Sequence, residues 1–139
     1  MVSQILVPMD GSEMAERALE FALEAHPEAG ITVLHVVGKP TPFMAEATSL
    51  ALEDDLPSAA EERASDVFDR AREIATEHDS EIQTEVEIGK PSRKIVQMAD
   101  EFDLVVMGSH GRNLQSHLLI GNTAEKVTRR SPVPVLTVR

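Results

Sequence analysis

Short apolar runs alternate along the chain with longer segments of helical period, and this alternation constrains the fold more than any other feature. Residues 5–7, 31–37 and 104–107 are almost continuously apolar, residues 82–88 alternate strictly between β-formers and polar side chains, and residues 133–138 form a last run. The segments between them repeat apolar residues every three or four positions, as amphipathic helices do. Strands separated by helices predict an α/β domain with a parallel sheet.

Capping residues and prolines mark where the helices should begin. Ser12 is the predicted N-cap of the first helix. Ser58 and Glu61 have the spacing of a capping box, which predicts that a second helix begins at Ser58. Pro91 stands at a favoured first helical position, and a fourth helix is expected over residues 122–130.

The strand order follows from which runs can face water. Strands that are apolar throughout are covered on both faces, so the first, second and fourth belong in the middle of the sheet. The alternating segment 82–88 has a polar face, and Pro134 in the last strand lacks an amide donor, so both strands suit an edge. With right-handed crossovers the predicted order is 3-2-1-4-5, with helices on both faces, whereas a flavodoxin-like 2-1-3-4-5 would expose the second strand.

The charge balance excludes two classes of partner. The chain has 139 residues, with 24 Asp and Glu against 13 Lys and Arg, and a formal net charge of −11. Binding to nucleic acid or to an anionic membrane surface requires an excess of basic residues, so neither is expected. Only four lysines occur. An acidic, lysine-poor surface suits a cytoplasm of high salt, although it also fits a merely acidic protein.

Length and cysteine content set further bounds. The length fits one domain over residues 1–139. With no cysteine, the chain has no disulfide, thiol redox chemistry or cysteine nucleophile. The first residues lack the basic region and the apolar run of a signal peptide, and no run approaches the ~20 residues of a membrane helix. We therefore expect a soluble cytoplasmic domain.

The connection from Gly108 to Gly121 is the segment that suggests function. It has fourteen residues, whereas loops between a strand and a helix usually have about two to six. Gly108 and Gly111 allow close approach of a ligand, and the helix start after Gly121 offers free amides to a phosphate. In the predicted strand order this loop meets residues 9–12 where the winding of the sheet reverses, which is where open α/β sheets bind ligands. The plain structural alternative makes the two glycines turn residues and Asn122 a helix cap.

The motifs in and around this loop resemble a known family. GSHG followed by nine residues and Gly-Asn-Thr resembles the G-x2-G-x9-G-[ST] motif of universal stress proteins of the ATP-binding type. The likeness extends to ILVPMDGSEMAERAL, LHVV, GKPSRKIV and AEKVTRRSPVPVLTVR. The resemblance implies an adenine-nucleotide α-hydrolase-like, Rossmann-like fold, a homodimer, and an ATP-binding stress-response regulator.

The resemblance also implies a nucleotide site, residue by residue. Pro8 and Val36 would form apolar walls near the adenine, and Asp10 would accept hydrogen bonds from the ribose or adenine. Met107 and Gly108 would lie against the ribose. The phosphates of ATP, or of AMP, would meet a set of amides and one guanidinium, contributed by Gly111, Arg112, Gly121, Asn122 and Thr123. Mg²⁺ or Mn²⁺ would be held by the phosphates rather than by protein ligands.

One residue departs from the family pattern. The family has Ser or Thr directly after the last glycine, whereas this chain has Asn122 and places Thr123 one position later. If backbone amides bind the phosphate, Asn122 changes little. If a hydroxyl is required, affinity falls, and the chain would be a nucleotide-free dimeric interaction module of the same fold.

Enzymatic roles have little support in the sequence. Ser109, His110 and Asp10 would form a hydrolytic triad only if neighbouring loop residues faced each other, and no nucleophile elbow is present. His110 and His117 lack the companions of a metal site. We expect no catalysis beyond slow ATP hydrolysis.

Two segments bear on assembly. The last strand, residues 133–138, has an apolar edge through which the family resemblance predicts a homodimer. The connection over residues 38–57 could cover the nucleotide, pack at the dimer interface, or form a solvated loop with a short helix.

Overall fold

Five strands and four helices alternate in the described part of the chain. The computed structural model describes residues 1–38, 55–110 and 120–139. The strands are β1 (Gln4–Pro8), β2 (Gly30–Val37), β3 (Gln83–Ile88), β4 (Leu104–Gly108) and β5 (Val135–Val138). The helices are α1 (Glu13–Ala25), α2 (Asp55–Glu77), α3 (Pro91–Ala99) and α4 (Asn122–Arg130).

The sheet is parallel and has the order β3-β2-β1-β4-β5, which confirms the predicted topology. β3 and β5 lie at the two edges, as the polar face of β3 and Pro134 indicated. Pro134 itself lies just before β5, so this strand begins two residues later than predicted, but the Pro134 carbonyl still accepts the amide of Val105. The winding reverses between β1 and β4.

Alternation along the strands divides the core into two layers. On one face α1 and α2 cover a cluster that contains Ile5, Val7 and Val33 of the central strands. On the other face α3 and α4 cover a cluster that contains Leu6 and Leu34. The strands contribute to both layers because successive side chains of a strand point to opposite faces.

The start of α1 agrees with the sequence, and the start of α2 does not. Ser12 is the N-cap of α1, and its side chain accepts the amide of Ala15 at 3.2 Å. α2 begins at Asp55, three residues before the predicted Ser58. Pro57 therefore lies inside the first turn, where its missing N–H costs nothing because first-turn amides have no helical partner.

The apolar side of β3 is only partly covered. Ile82, just before the strand, packs against the core under α1 and α2. Further along, Val86 is 51% exposed and Ile88 is 63% exposed. Among the described residues α2 packs mainly on β2, so part of the apolar side of β3 stays exposed.

A carboxylate ties the start of β1 to the start of β4. The side chain of Asp103 accepts the amide of Ser3 at 3.0 Å, the hydroxyl of Ser3 at 2.9 Å and the amide of Gln4 at 2.9 Å. The Asp103 amide in turn donates to the Gln4 carbonyl. These donors, the Ser3 amide first, hold the pKa of Asp103 below its ordinary value because they stabilise the ionised form.

The predicted roles of the 38–57 connection are not addressed by the structure. Residues 39–54 lie outside the described residues, and residues 55–57 belong to the backbone of α2.

Candidate functional site

The loop from β1 to α1 brings Asp10 to the carboxyl end of the sheet. The Met9 amide donates to the Leu34 carbonyl at 2.8 Å, so the loop begins still attached to β2. The Asp10 carboxylate accepts the Ser12 amide at 2.9 Å, and Gly11 has a φ of +84°, a conformation that favours glycine. Asp10 is exposed, with its carboxylate held above the first turn of α1.

The three apolar residues predicted beside the adenine (Pro8 and Val36) and the ribose (Met107) share one face of the sheet. Met107 is buried in the core under α3 and α4, and Val36 packs against the same cluster. Pro8 comes two residues after Leu6 in β1, so both side chains point to the same face of the sheet. Pro8 also pairs in register with Leu34, and Leu6 and Leu34 both belong to this cluster. Pro8, Val36 and Met107 therefore belong to three adjacent strands near their carboxyl ends and point to the side on which α4 begins.

Gly108 has a packing role that the sequence did not indicate. A Cβ atom at this position would lie 2.8 Å from Cβ of Met14 and 3.0 Å from its carbonyl carbon. The first turn of α1 therefore lies directly against β4. The absence of a side chain at Gly108 is explained by this helix, whatever ligand lies nearby.

Ser109 and His110 contact each other, although the sequence predicted that such neighbours would not. Ser109 Oγ lies 3.2 Å from His110 Nδ1, and both side chains are buried. The backbone of Ser109 joins three elements, because its amide donates to Val138 and its carbonyl accepts the Gly121 amide at 2.6 Å. This residue connects the end of β4 with β5 and with the start of α4.

The residue that caps α4 is Gly121 and not Asn122, the cap that the sequence suggested. Gly121 is the N-cap, with extended backbone, and no side chain of the described residues caps the helix. Asn122 is the first helical residue rather than the cap, so it cannot replace a capping Ser in the way that the sequence suggested. It is exposed, and Thr123 is half-buried. The amides of a first helical turn carry partial positive charge and attract anions.

All the phosphate-binding roles predicted from the sequence stay predictions, and two of the residues lie outside the described part of the chain. Gly111 and Arg112 lie outside the described residues, as does His117. Among residues 1–38, 55–110 and 120–139, no three His, Asp or Glu side chains are grouped so that they could hold a metal ion. No helix in that part of the chain is long and apolar enough to cross a membrane.

A second cleft lies on the opposite side of the β1–α1 loop, and the sequence did not reveal it. It has a volume of about 490 Å³ and is lined by Met9, Asp10, Gly11, Glu16, Glu62, Arg63, Asp66, Val67 and Arg70. Arg70 Nε donates to Glu16 Oε1 at 2.9 Å, and this pairing raises the pKa of Arg70. The cleft depends on residues of α1 and α2 that are 54 positions apart, so no local sequence pattern marks it.

The fold and the crevice define a Rossmann-like α/β protein whose crevice opens at the switch point between β1 and β4. The whole chain, residues 1–139, matches the universal stress protein family, and the protein belongs to this family.

Individual relatives agree with the family match. The chain is 28% identical over 148 residues to the universal stress protein YxiE of Bacillus subtilis, across the full length of both chains. It is 27% identical over 155 residues to the universal stress protein MJ0577 of Methanocaldococcus jannaschii, covering 100% of this chain and 96% of the relative. The solved structure of MJ0577 has a TM-score of 0.81 with this chain at 29% identity, covering 99% and 96% of the two chains.

Two more distant structures share the fold and contain nucleotides. A universal stress protein in complex with cAMP has a TM-score of 0.72 at 23% identity, covering 99% of this chain and 97% of that chain. A universal stress protein family member from Arabidopsis thaliana with AMP bound has a TM-score of 0.67 at 16% identity, with coverage of 98% and 90%.

Proposed function

We propose that this protein binds an adenine nucleotide in the crevice between β1 and β4 and acts as a dimeric, cytoplasmic stress-response regulator. The observation that carries the proposal is the shared face: Pro8, Val36 and Met107 point to the same side of the sheet as the start of α4, which no side chain of the described residues caps. An apolar surface next to free amides suits a ligand with a flat base at one end and phosphate at the other.

The charge of the site differs from that of the molecule. A nucleotide carries several negative charges, and the chain has a net charge of −11. The first turn of α4 supplies local positive potential without a lysine, and Arg112 would add a guanidinium suited to bidentate phosphate contact. Salt in solution, or Mg²⁺ or Mn²⁺ held by the phosphates, would screen the remaining repulsion between the nucleotide and the acidic protein. Nucleotides bound to family members of the same fold support this proposal.

The role of the protein is regulatory rather than catalytic in this proposal. Ser109 and His110 are paired but buried, and the carboxylate of Asp10 accepts the Ser12 amide. Ser109 and His110 are therefore not exposed as a nucleophile and its base, and the Ser12 amide already occupies one oxygen of the Asp10 carboxylate. We expect ATP turnover below about 1 s⁻¹, the low end of ordinary enzyme rates.

The dimer is proposed to form through β5. All four residues of this edge strand are half-buried. The carbonyls of Pro134 and Val138 accept the amides of Val105 in β4 and of Ser109 just after it, and backbone groups of a strand alternate sides. The amide of Thr137 therefore faces outward, where a partner strand can bind it.

Two adjacent valines allow a sharp test of the nucleotide site. Val36 and Val37 are both half-buried, but Val36 faces α3 and α4 whereas Val37 faces the opposite side of the sheet. Val36→Glu would place a charged carboxylate on the apolar wall proposed for the adenine. Val37→Glu adds the same charge on the other face and is the matched control.

Calorimetry would compare ATP, AMP and cyclic AMP in high salt with Mg²⁺. We expect the wild type and Val37→Glu to bind alike and Val36→Glu to bind at least about tenfold more weakly, the equivalent of roughly 1.4 kcal/mol. Equal binding by both variants would contradict the assigned face. No heat with wild type at millimolar nucleotide would contradict the proposal itself.

The alternative is a dimer that works without nucleotide. It is favoured by one observation, the exposed Asn122 at the position where the family motif has Ser or Thr. An intact dimer with no nucleotide affinity would support it.

A further inference from the structure

A buried histidine lies next to the candidate site without facing it. His35 belongs to β2 and is 5% exposed, in a row of apolar side chains. A buried imidazole is costly unless its polar atoms are hydrogen-bonded. The neighbouring Val36 faces the predicted adenine side, so His35 faces the opposite layer, under α1 and α2.

The ring of His35 is hydrogen-bonded to the loop that carries Asp10. Nδ1 of His35 lies 2.9 Å from the Met9 carbonyl oxygen. A carbonyl only accepts, so Nδ1 donates and carries the hydrogen in this arrangement. The Met9 amide donates to Leu34, the residue before His35. Both polar backbone groups of Met9 are therefore held by two consecutive residues of β2.

The orientation of the ring is set by a second contact. The ring of Phe68 on α2 meets His35 edge to face, with centroids 6.4 Å apart and planes at 87°. Edge-to-face aromatic pairs at this distance are favourable and have a defined geometry. His35 is thus packed from α2 and hydrogen-bonded to the loop at its other side.

The loop held in this way presents Asp10 directly after Met9. Beyond Asp10, Gly11 has positive φ and Ser12 both donates its amide to Asp10 and caps α1. The exit of the loop is therefore held by the helix, whereas a side chain from β2 holds its entry. Without the His35 bond, one of the two attachments of Met9 to β2 is lost.

We propose that His35 is a positioning residue of the nucleotide site, which it serves by holding Met9 so that Asp10 lies at the mouth of the crevice. It contacts no ligand itself, since it faces the other layer of the core. This inference rests on the proposed nucleotide-binding function and adds a residue that acts on that site from behind the sheet.

The test uses variants that separate the hydrogen bond from core packing. His35→Leu removes the donor, whereas His35→Asn places an amide nitrogen close to the position of Nδ1. Val33→Ala is the control for general loss of stability, because Val33 is fully buried on the same face of β2 and two residues away. Each variant is assayed by calorimetry with ATP and by hydrogen exchange of the Met9 and Ser12 amides, which donate to the Leu34 carbonyl and to the Asp10 carboxylate.

We expect His35→Leu to weaken ATP binding about tenfold, as loss of one ordinary hydrogen bond would, and to speed exchange at both amides by a similar factor. His35→Asn should restore most of both, and Val33→Ala should lower the melting temperature without changing either. Equal effects of His35→Leu and Val33→Ala, or no rescue by Asn, would overturn the positioning role.

The two proposals fail in different ways. If wild type binds no nucleotide, the proposed function is wrong and His35 cannot be a positioning residue of a nucleotide site. Faster exchange at Met9 and Ser12 in His35→Leu would then show only that His35 holds the loop. If wild type binds and His35→Leu binds equally well, only the positioning role is wrong. Should His35→Leu not fold, Phe68→Leu takes its place, because it removes the ring contact that orients His35 and keeps the hydrogen-bond donor. Unchanged nucleotide binding and amide exchange in Phe68→Leu would overturn the role assigned to the ring packing.

Discussion

Replacing Gly108 with alanine tests how closely α1 packs against β4. The added Cβ would lie 2.8 Å from Cβ of Met14, 3.0 Å from its carbonyl carbon and 3.2 Å from the amide nitrogen of Ala15. Two of these atoms are helix backbone, which cannot move away as a flexible side chain can. The first turn of α1 must therefore shift by several tenths of an ångström to reach ordinary contact.

The expected cost follows from two opposing effects. Overpacking a well-packed core costs about 1–3 kcal/mol. Alanine in a strand gains back roughly 0.5–1 kcal/mol, because glycine loses more conformational freedom on folding. The net loss of unfolding free energy for Gly108→Ala should be about 1–2 kcal/mol, or roughly 3–8 °C in melting temperature.

Three other glycines provide a graded control series. Within residues 1–38, 55–110 and 120–139, a Cβ added at Gly38 would have no atom within 4 Å, and one at Gly30 would meet only the far end of the Gln4 side chain. A Cβ at Gly121 would lie 3.2 Å from Cα of His110. In urea unfolding we expect Gly38→Ala and Gly30→Ala to stay within about 0.5 kcal/mol of wild type, and Gly121→Ala to fall between them and Gly108→Ala. A Gly108→Ala protein as stable as Gly38→Ala would refute the close packing.

Two further predictions concern the start of the central strands and the edge strand β5. Because the pKa of Asp103 is lowered in the folded state, its contribution to stability is present above the ordinary carboxyl range near 3.8 and is lost as the pH falls through the lowered value. Asp103→Asn should therefore lower the urea midpoint at pH 7, with a difference from wild type that shrinks below pH ~4; the exposed Glu81→Gln serves as control, and a pH-independent difference would contradict this. Thr137→Pro removes the outward amide of β5 while leaving the β4–β5 bonds, so light scattering should find a monomer where wild type is a dimer; a dimer of unchanged strength would exclude pairing through this edge.

The strand order could be predicted because a strand that is buried on both faces is apolar at nearly every position. The runs at residues 5–7, 31–37 and 104–107 have no polar side to turn to water, so they had to lie between other strands. The polar alternation over 82–88 and Pro134 then assigned the two edges. Each of these patterns lies within one short segment, so it can be read without knowing what the segment contacts.

The predicted start of α2 was wrong, and the reason is also local. Pro57 followed by Ser58 and Glu61 has the pattern of a helix boundary. A proline in the first turn costs as little as one just before it, since neither removes a helical hydrogen bond. The pattern could not distinguish the two cases, and the backbone begins the helix at Asp55.

The parts of the site that sequence reasoning missed depend on contacts between distant segments. Gly108 is small because Met14 of α1 lies against it, and His35 bonds the carbonyl of Met9, which is 26 residues earlier in the chain. Neither contact has a spacing or composition that marks it. The His in the LHVV run reads as one polar residue in an apolar strand until the register of β1 and β2 brings Met9 beside it.

Titration of the ¹⁵N-labelled protein with ATP, followed by amide chemical shifts, tests the nucleotide site most directly. We expect saturable shifts at Val36, Met107 and residues 121–123, on the face shared by the adenine wall and the start of α4. The amides of Glu62 and Asp66, which line the second cleft, should not move. No shift at millimolar ATP, or shifts confined to that second cleft, would contradict a nucleotide site between β1 and β4.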